Sequence, residues 1–256
     1  MVYDAVKRHL AIEKLVTRVS NEGLERKYYR FRRARWYGGI VTADCVGCGL
    51  ICKFCWVSDK ALHHPAATGT FYSAEKVAEK IQQIAQKSGL RQLRLSGGEP
   101  TLGKEHLLKL LELLSGKGYT FILETNGIPL ACDENYVSQL SRHNFIHVRV
   151  SLKGCDENEF AMLTGARRQD FKLQLKALEK LVKHKISCHA SVMVSFSPRK
   201  SLQKIARRLA EISGKLAEDL EVEELILYPH VKEKIQKHRL RYYVGYLPNR
   251  VPQEQI

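Results

Sequence analysis

Between residues 39 and 229 the chain alternates short apolar runs with amphipathic stretches of helical period, and this constrains its fold more than any other feature. The strand-like runs are GIVTAD (39–44), LRQLRLS (90–96), YTFILET (119–125), FIHVRVS (145–151), ISCHASVMVSF (186–196) and EELILY (223–228). Helix-like stretches lie at 73–87, 103–115, 134–142, 168–184 and 199–213. Ser73 and Asp133 stand where N-caps belong, and Gly89 and Gly116 or Gly118 where helices stop. Strands that are apolar almost throughout belong to a parallel sheet covered by helices, and strand–helix–strand repeats imply right-handed crossovers. The fold class is therefore α/β. Six such units fall short of the eight of a closed barrel, which leaves a partial barrel or a doubly wound sheet.

No Pro/Gly-rich linker or internal repeat interrupts residues 39–229, so this span reads as one domain. Ahead of it, apolar Ala5, Val6, Leu10, Leu15, Val16 and Val19 predict a helix over 4–19, followed by the basic, aromatic stretch KYYRFRRARWY at 27–37. The expected division is a basic helical N-terminal extension (1–37), a core (38–232) and a basic C-terminal tail (233–256). Apolar residues make up 44% of the chain and charged residues 27%, which excludes a disordered protein. No apolar run reaches the eighteen or so residues of a membrane span, and charges break the N-terminus too often for a signal peptide. A cytoplasmic protein with no membrane partner is the expectation.

The net charge is +15, and it is unevenly spread. Residues 24–35 hold six Lys/Arg and one Glu, and residues 231–241 hold five and one. Such a distribution suits docking of nucleic acid or an acidic protein, with Tyr28, Tyr29, Phe31, Trp36 and Tyr37 available for stacking. An Arg/aromatic alternation equally suits an amphipathic segment covering the open edge of the core.

Four of the seven cysteines, Cys45, Cys48, Cys52 and Cys55, fall within eleven residues. A disulfide framework would spread them, so metal or redox chemistry is the better reading. Two C-x2-C pairs this close suit a zinc tetrahedron poorly, and the spacing matches neither ferredoxin pattern. The subset Cys48-x3-Cys52-x2-Cys55, with aromatic Phe54 before the last cysteine, can hold three irons of a 4Fe–4S cluster and leave the fourth open to a chelating small molecule. Cys45 reads as a buried neighbour, and Cys132, Cys155 and Cys188 as packing residues.

This loop resembles that of the radical S-adenosylmethionine (AdoMet) enzymes, C-x3-C-x-aromatic-C. More narrowly, VGCGLICKFCW is similar to the loop of the glycyl-radical-enzyme activases, the pyruvate formate-lyase-activating type. Downstream, Gly97-Gly98-Glu99 resembles the segment that holds the AdoMet amino group, and Leu123-Glu124-Thr125-Asn126-Gly127 the activases' LDTNG with Glu for Asp. Ser151-Leu152-Lys153 resembles their DLK, whose lysine meets the AdoMet carboxylate, with Ser151 in place of Asp. Leu225 to His230 is similar to a segment carrying a ribose-contacting histidine.

The resemblance covers residues 38–232 and implies a partial (βα)6 barrel. Its cluster ligands would be Cys48, Cys52 and Cys55. Its AdoMet contacts would come from Phe54, Gly97, Gly98, Glu99, Glu124, Asn126, Ser151, Lys153 and His230, with no acid–base residue in the chemistry. One electron from the reduced cluster would cleave AdoMet to methionine and a 5′-deoxyadenosyl radical, which abstracts hydrogen from a substrate. That substrate is expected to be macromolecular, a protein or peptide as in glycyl-radical activation, or alternatively RNA, with ferredoxin or flavodoxin as electron donor. The rival from another class is a non-catalytic iron–sulfur electron carrier with Cys45 as fourth ligand.

Overall fold

The computed structural model describes residues 2–21 and 23–253. Helix α1 (Ala5–Val16) opens the chain, capped by the Asp4 carboxylate accepting from the Lys7 N–H at 3.0 Å. Strands β1 (Thr17–Ser20), β2 (Gly23–Ala34) and β3 (Ile40–Cys45) follow. After the cysteine loop come α2 (Asp59–His63), β4 (Thr70–Tyr72), α3 (Ala74–Ser88), β5 (Gln92–Gly97), α4 (Lys104–Leu114) and β6 (Thr120–Thr125). Next are α5 (Ile128–Cys132), α6 (Glu134–Leu140), β7 (Ile146–Leu152), α7 (Glu157–Thr164), α8 (Phe171–Lys183) and β8 (Cys188–Met193). The chain closes with α9 (Arg199–Ile212), α10 (Gly214–Glu218), β9 (Glu221–Glu223), β10 (Leu225–Ile226), α11 (Pro229–Lys237) and β11 (Gly245–Tyr246). Ser73 and Asp133 cap α3 and α6 through their side chains, and Gly89 ends α3 in the left-handed region, as the sequence predicts.

Strands β3, β5, β6, β7, β8 and β9 lie side by side in chain order, all parallel. Sequential order without reversal winds every crossover the same way, which is the barrel solution and not the doubly wound one. The helix-facing side is apolar: Val41, Ala43, Leu93, Leu95, Phe121, Leu123, Val148 and Val150 are buried, packed with Val77 and Ile81 of α3 and Leu107, Leu110 and Leu111 of α4. Each large aliphatic side chain so buried contributes about 1.5–3 kcal/mol. The alternate residues, Thr42, Asp44, Arg94, Ser96, Glu124, Arg149, Ser151, Ser191, Glu221 and Glu223, make the concave face polar.

Two expectations are corrected here. Among the described residues the N-terminal extension is α-helical over Ala5–Val16, while residues 23–34 form the twelve-residue strand β2, antiparallel to β3. A register shift between Tyr28 and Arg30 puts Tyr28 and Phe31 in stacking contact (ring centroids 5.7 Å apart), a spacing of three that mimics a helix. The sixth parallel strand is the charged Glu221–Glu223, whose carboxylates face Arg149; apolar Leu225–Ile226 pairs instead with β11 in a separate small sheet.

Candidate functional site

The three loop cysteines sit where β3 ends, at the C-terminal edge of the sheet, where parallel α/β folds gather their ligands. Four struts fix the loop. From β2, the buried Arg26 guanidinium donates to the carbonyls of Val46 (2.6 Å), Leu102 (3.1 Å) and Glu99 (3.3 Å), tying the cysteine loop to the loop after β5. From α11, Lys234 Nζ donates to the carbonyls of Cys55 (2.8 Å) and Val57 (2.6 Å) and pairs with Asp59 at 3.0 Å. His230 Nε2 donates to the Trp56 carbonyl at 2.6 Å. From α1, Ile12 and Val16 press against Gly47, where an added Cβ would lie 2.7 Å from Ile12, and the His9 ring crosses Gly49.

The Gly-Gly-Glu turn packs onto the same loop. The Gly98 N–H donates to the Cys45 carbonyl at 2.8 Å and the Glu99 N–H to the Gly47 carbonyl at 2.7 Å. A Cβ on Gly98 would fall 2.2 Å from Gly47 O, and one on Gly97, whose φ is +90°, would fall 2.9 Å from Cys45 O. Both glycines are thus required by backbone-to-backbone approach. The buried Glu99 carboxylate accepts from Thr101 Oγ1 (2.7 Å), Thr125 Oγ1 (2.6 Å), the Thr101 N–H (3.1 Å) and the Asn126 N–H (2.8 Å). It therefore joins the ends of β5 and β6.

Cys48 Sγ accepts from the Leu50 N–H at 3.4 Å and from Asn126 Nδ2 at 3.6 Å. Burial pushes the Cys52 thiol up to about 12, with the Lys153 ammonium acting against that rise and Cys55 adding to it. Burial likewise raises Cys55, and Lys234 and Lys153 oppose it. Cys48, Cys52 and Cys55 feel one another's charge, whereas Cys45 feels Arg26, Asp44 and Glu99 and is raised to about 12 by burial. Cys45 lies on the helix-facing side of β3 among core residues, so it packs as expected. Three desolvated thiols on one loop, with N–H donors on Cys48 and the charges of Lys153 and Lys234 acting on Cys55, fit a metal cluster that replaces the thiol protons.

The remaining expected contacts divide. Lys153 lies beside Cys52 and Cys55; its N–H donates to Gln174 Oε1 at 3.1 Å and its ammonium to Ser151 Oγ. Gln174 of α8 in turn donates to the Asn126 and Ser151 carbonyls (2.8 and 2.9 Å), joining β6 to β7. Three further residues of the expected set are engaged with the protein itself. Phe54 packs into the core on Phe196 with ring centroids 5.2 Å apart. Glu124 is held within the concave face by Arg94 (2.9 Å), Tyr37 (2.9 Å) and Ser96 (2.7 Å). His230, carried on α11 and not at a strand end, backs the cysteine loop. The residues missed from sequence are His9, Arg26, Gln174 and Lys234. Each acts on a backbone or amide remote in the chain, and no contiguous motif marks them.

The sequence model of the Radical SAM superfamily matches residues 44–209. The chain belongs to that superfamily, whose members use a 4Fe–4S cluster and AdoMet. It is 28% identical over 125 residues to a Methanocaldococcus jannaschii protein named as a glycyl-radical enzyme activating enzyme, covering 49% of this chain and 44% of that one. It is 26% identical to the GTP 3',8-cyclase of Mannheimia succiniciproducens, over 63% of this chain and 45% of the other. It is also 26% identical to the pyruvate formate-lyase-activating enzyme of Clostridium pasteurianum, over 75% of each. Against the first two the chain spans under half of the relative's length. Streptococcus suis SuiB bound to precursor peptide SuiA shares the fold, with a TM-score of 0.58 at 16% identity over 81% of this chain and 48% of that chain.

Proposed function

We propose that this enzyme abstracts hydrogen from a peptide or protein segment received at the polar concave face. The observation that carries the reading is the fate of the basic segment. Of its six cations, Arg26 and Lys27 are buried on backbone carbonyls, and Arg30 and Arg32 pair with Asp44 at 2.6 and 2.8 Å. With two cations buried and two more paired to one carboxylate, the strand keeps only Arg33 and Arg35 free of these pairings, a poor phosphate-binding stripe, which favours protein over RNA. The activating-enzyme relatives and the peptide-bound SuiB lean the same way.

In this reading Cys48, Cys52 and Cys55 hold the cluster, and Lys153 offers its charge to the AdoMet carboxylate. Gly97, Gly98, Asn126 and Ser151 line the rest of that cofactor's seat. When bound, the cluster supplies one low-potential electron and AdoMet the 5′-deoxyadenosyl group that takes the hydrogen. The chain's own part is to orient, to exclude water and to hold the loop rigid through Arg26 and Lys234. The electron donor in this scheme is a small acidic protein of ferredoxin or flavodoxin type, drawn by the net charge of +15.

The test is anaerobic reconstitution with dithionite, AdoMet and deuterated hydrogen sources. Peptides or RNA from cells grown in deuterated medium are supplied separately, and 5′-deoxyadenosine is analysed by mass. Deuterium arriving from the peptide pool supports the proposal. Deuterium arriving from RNA alone transfers the assignment to RNA, and no 5′-deoxyadenosine at all overturns the enzymatic reading.

A further inference from the structure

His9 lies on α1, far in sequence from every cluster ligand, yet its ring is buried against the cysteine loop (4% exposed). A Cβ on Gly49, the residue after Cys48, would stand 2.1 Å from His9 Nδ1. The ring is held by two hydrogen bonds. Nδ1 lies 2.7 Å from the Ala5 carbonyl, which can only accept, so Nδ1 carries the proton and Nε2 presents a lone pair. Nε2 faces Asn126 Nδ2 at 3.0 Å.

The orientation of the Asn126 amide is fixed independently. Its Oδ1 accepts from the Ile128 N–H at 3.0 Å, which turns Nδ2 toward both His9 and Cys48. One Nδ2 hydrogen goes to His9 Nε2; the other is directed at Cys48 Sγ, 3.6 Å away. The backbone N–H of Asn126 is anchored on Glu99 at 2.8 Å, so the amide cannot drift.

His9, Cys48 and Glu99 place one ligand-type atom each within 4.8 Å of one another, a constellation that in isolation suggests a separate metal site. Here each group is already engaged: both Glu99 oxygens accept hydrogen bonds, and the two His9 nitrogens meet Ala5 and Asn126. The arrangement is a hydrogen-bonded chain that ends on a cluster cysteine.

We propose that His9 is a positioning residue that holds the Asn126 amide as a hydrogen-bond donor to Cys48, and so makes the cluster easier to reduce. An N–H donor withdraws electron density from a cluster sulfur, stabilising the reduced state. The proposal rests on Cys48 ligating the 4Fe–4S cluster. Its effect on the chemistry is indirect, through the electron supply.

The test uses the full chain, reconstituted anaerobically, with iron content measured first and the cluster then titrated by EPR against redox mediators. His9→Ala is expected to retain wild-type iron and to shift the midpoint potential to a more negative value. Asn126→Ala should shift it the same way, and the double variant no further than Asn126→Ala alone. His9→Gln, whose side-chain oxygen can accept from Asn126, should recover most of the wild-type midpoint. Unchanged midpoints in iron-replete His9→Ala, or additive shifts in the double variant, would overturn the proposal. Iron loss in both His9→Ala and His9→Gln, with Asn126→Ala iron-replete, would overturn it in favour of a ligand role. If His9→Ala does not fold, Asn126→Ala decides: a wild-type midpoint there refutes the chain of bonds. A wild-type protein without a cluster would overturn the ligand assignment and the proposal together, whereas unchanged midpoints overturn the proposal alone.

Discussion

Cys45 and Cys48 stand three residues apart and do different work, because one is a strand residue and the other a loop residue. Cys45 ends β3 on its helix-facing side, fully buried beside Tyr28 and Arg26. Cys48 lies on the loop, with N–H donors converging on its sulfur. Cys45→Ala is expected to leave iron content at the wild-type level and to cost about 1 kcal/mol of stability, the loss of one small buried group. Cys48→Ala should lose most of the iron. Iron analysis and thermal denaturation of the two reconstituted variants check this, and iron loss in Cys45→Ala would restore the four-cysteine electron carrier. At this scale the sequence is informative wherever residues are contiguous: the cysteine triplet, Gly97-Gly98-Glu99 and Lys153 stand in short motifs that carry the family resemblance. It is uninformative for Arg26 and Lys234, whose targets are backbone carbonyls brought near only by folding.

Among the elements, β2 departs furthest from expectation, and α4 holds it through a single histidine. His106 Nδ1–H donates to the Leu24 carbonyl at 3.0 Å, and Nε2 accepts from the buried Tyr28 hydroxyl at 3.0 Å. Burial lowers the His106 pKa from 6.5 to about 4. The unfolded chain therefore takes up this proton near pH 6.5 while the folded chain resists it until about 4. The sign follows: the contribution is fully present above pH 6.5 and is lost as the pH falls toward 4. The loss is on the order of 3 kcal/mol once both states are protonated. His106→Gln should be less stable at pH 7.5 yet lose less between pH 7.5 and 4.5 than the wild type. Urea midpoints at the two values measure the difference, and equal losses would show that His106 is not the titrating group. The strand itself escaped a sequence reading because its bulge breaks the period of two at the point where the aromatics cluster.

Across the whole molecule, the concave face is a charge-paired surface on an otherwise apolar sheet. Arg149 at its centre donates to Glu221 and to Ser191 Oγ (2.7 Å) and lies 3.6 Å from Glu223. Burial pushes the Glu221 carboxyl up, but Arg149 and His189 outweigh it and hold the group well below the usual carboxylate range. The short strand β9 pairs with β8 over the three residue pairs Ser191–Glu221, Val192–Val222 and Met193–Glu223, and the Arg149 bridge adds to the His189 contact on Glu221 in anchoring it. Arg149→Leu, which removes the guanidinium from Glu223 and leaves Glu221 to His189 and Ser191, is expected to cost about 2–4 kcal/mol, Glu221 being partly solvated. In a protein of this size that is a fall of roughly 5–15 °C in Tm. Hydrogen exchange should quicken first at the β9 amides. Retained protection there would show that backbone pairing alone holds the strand.

Legible from the chain alone were features that lie close along it: the parallel α/β pattern, and the cysteine loop and strand-end motifs that mark the superfamily. Hydrophobic period and motif spacing are local properties, so local reading recovers them. How the N-terminal segment is used depends on tertiary contacts, since a basic stretch becomes a strand only when β3 on one side, and β1 and β4 on the other, are there to pair with it. The tertiary structure also decided that His9 and His230 serve the cysteine loop, because a histidine takes its role from whatever folding brings to its two nitrogens.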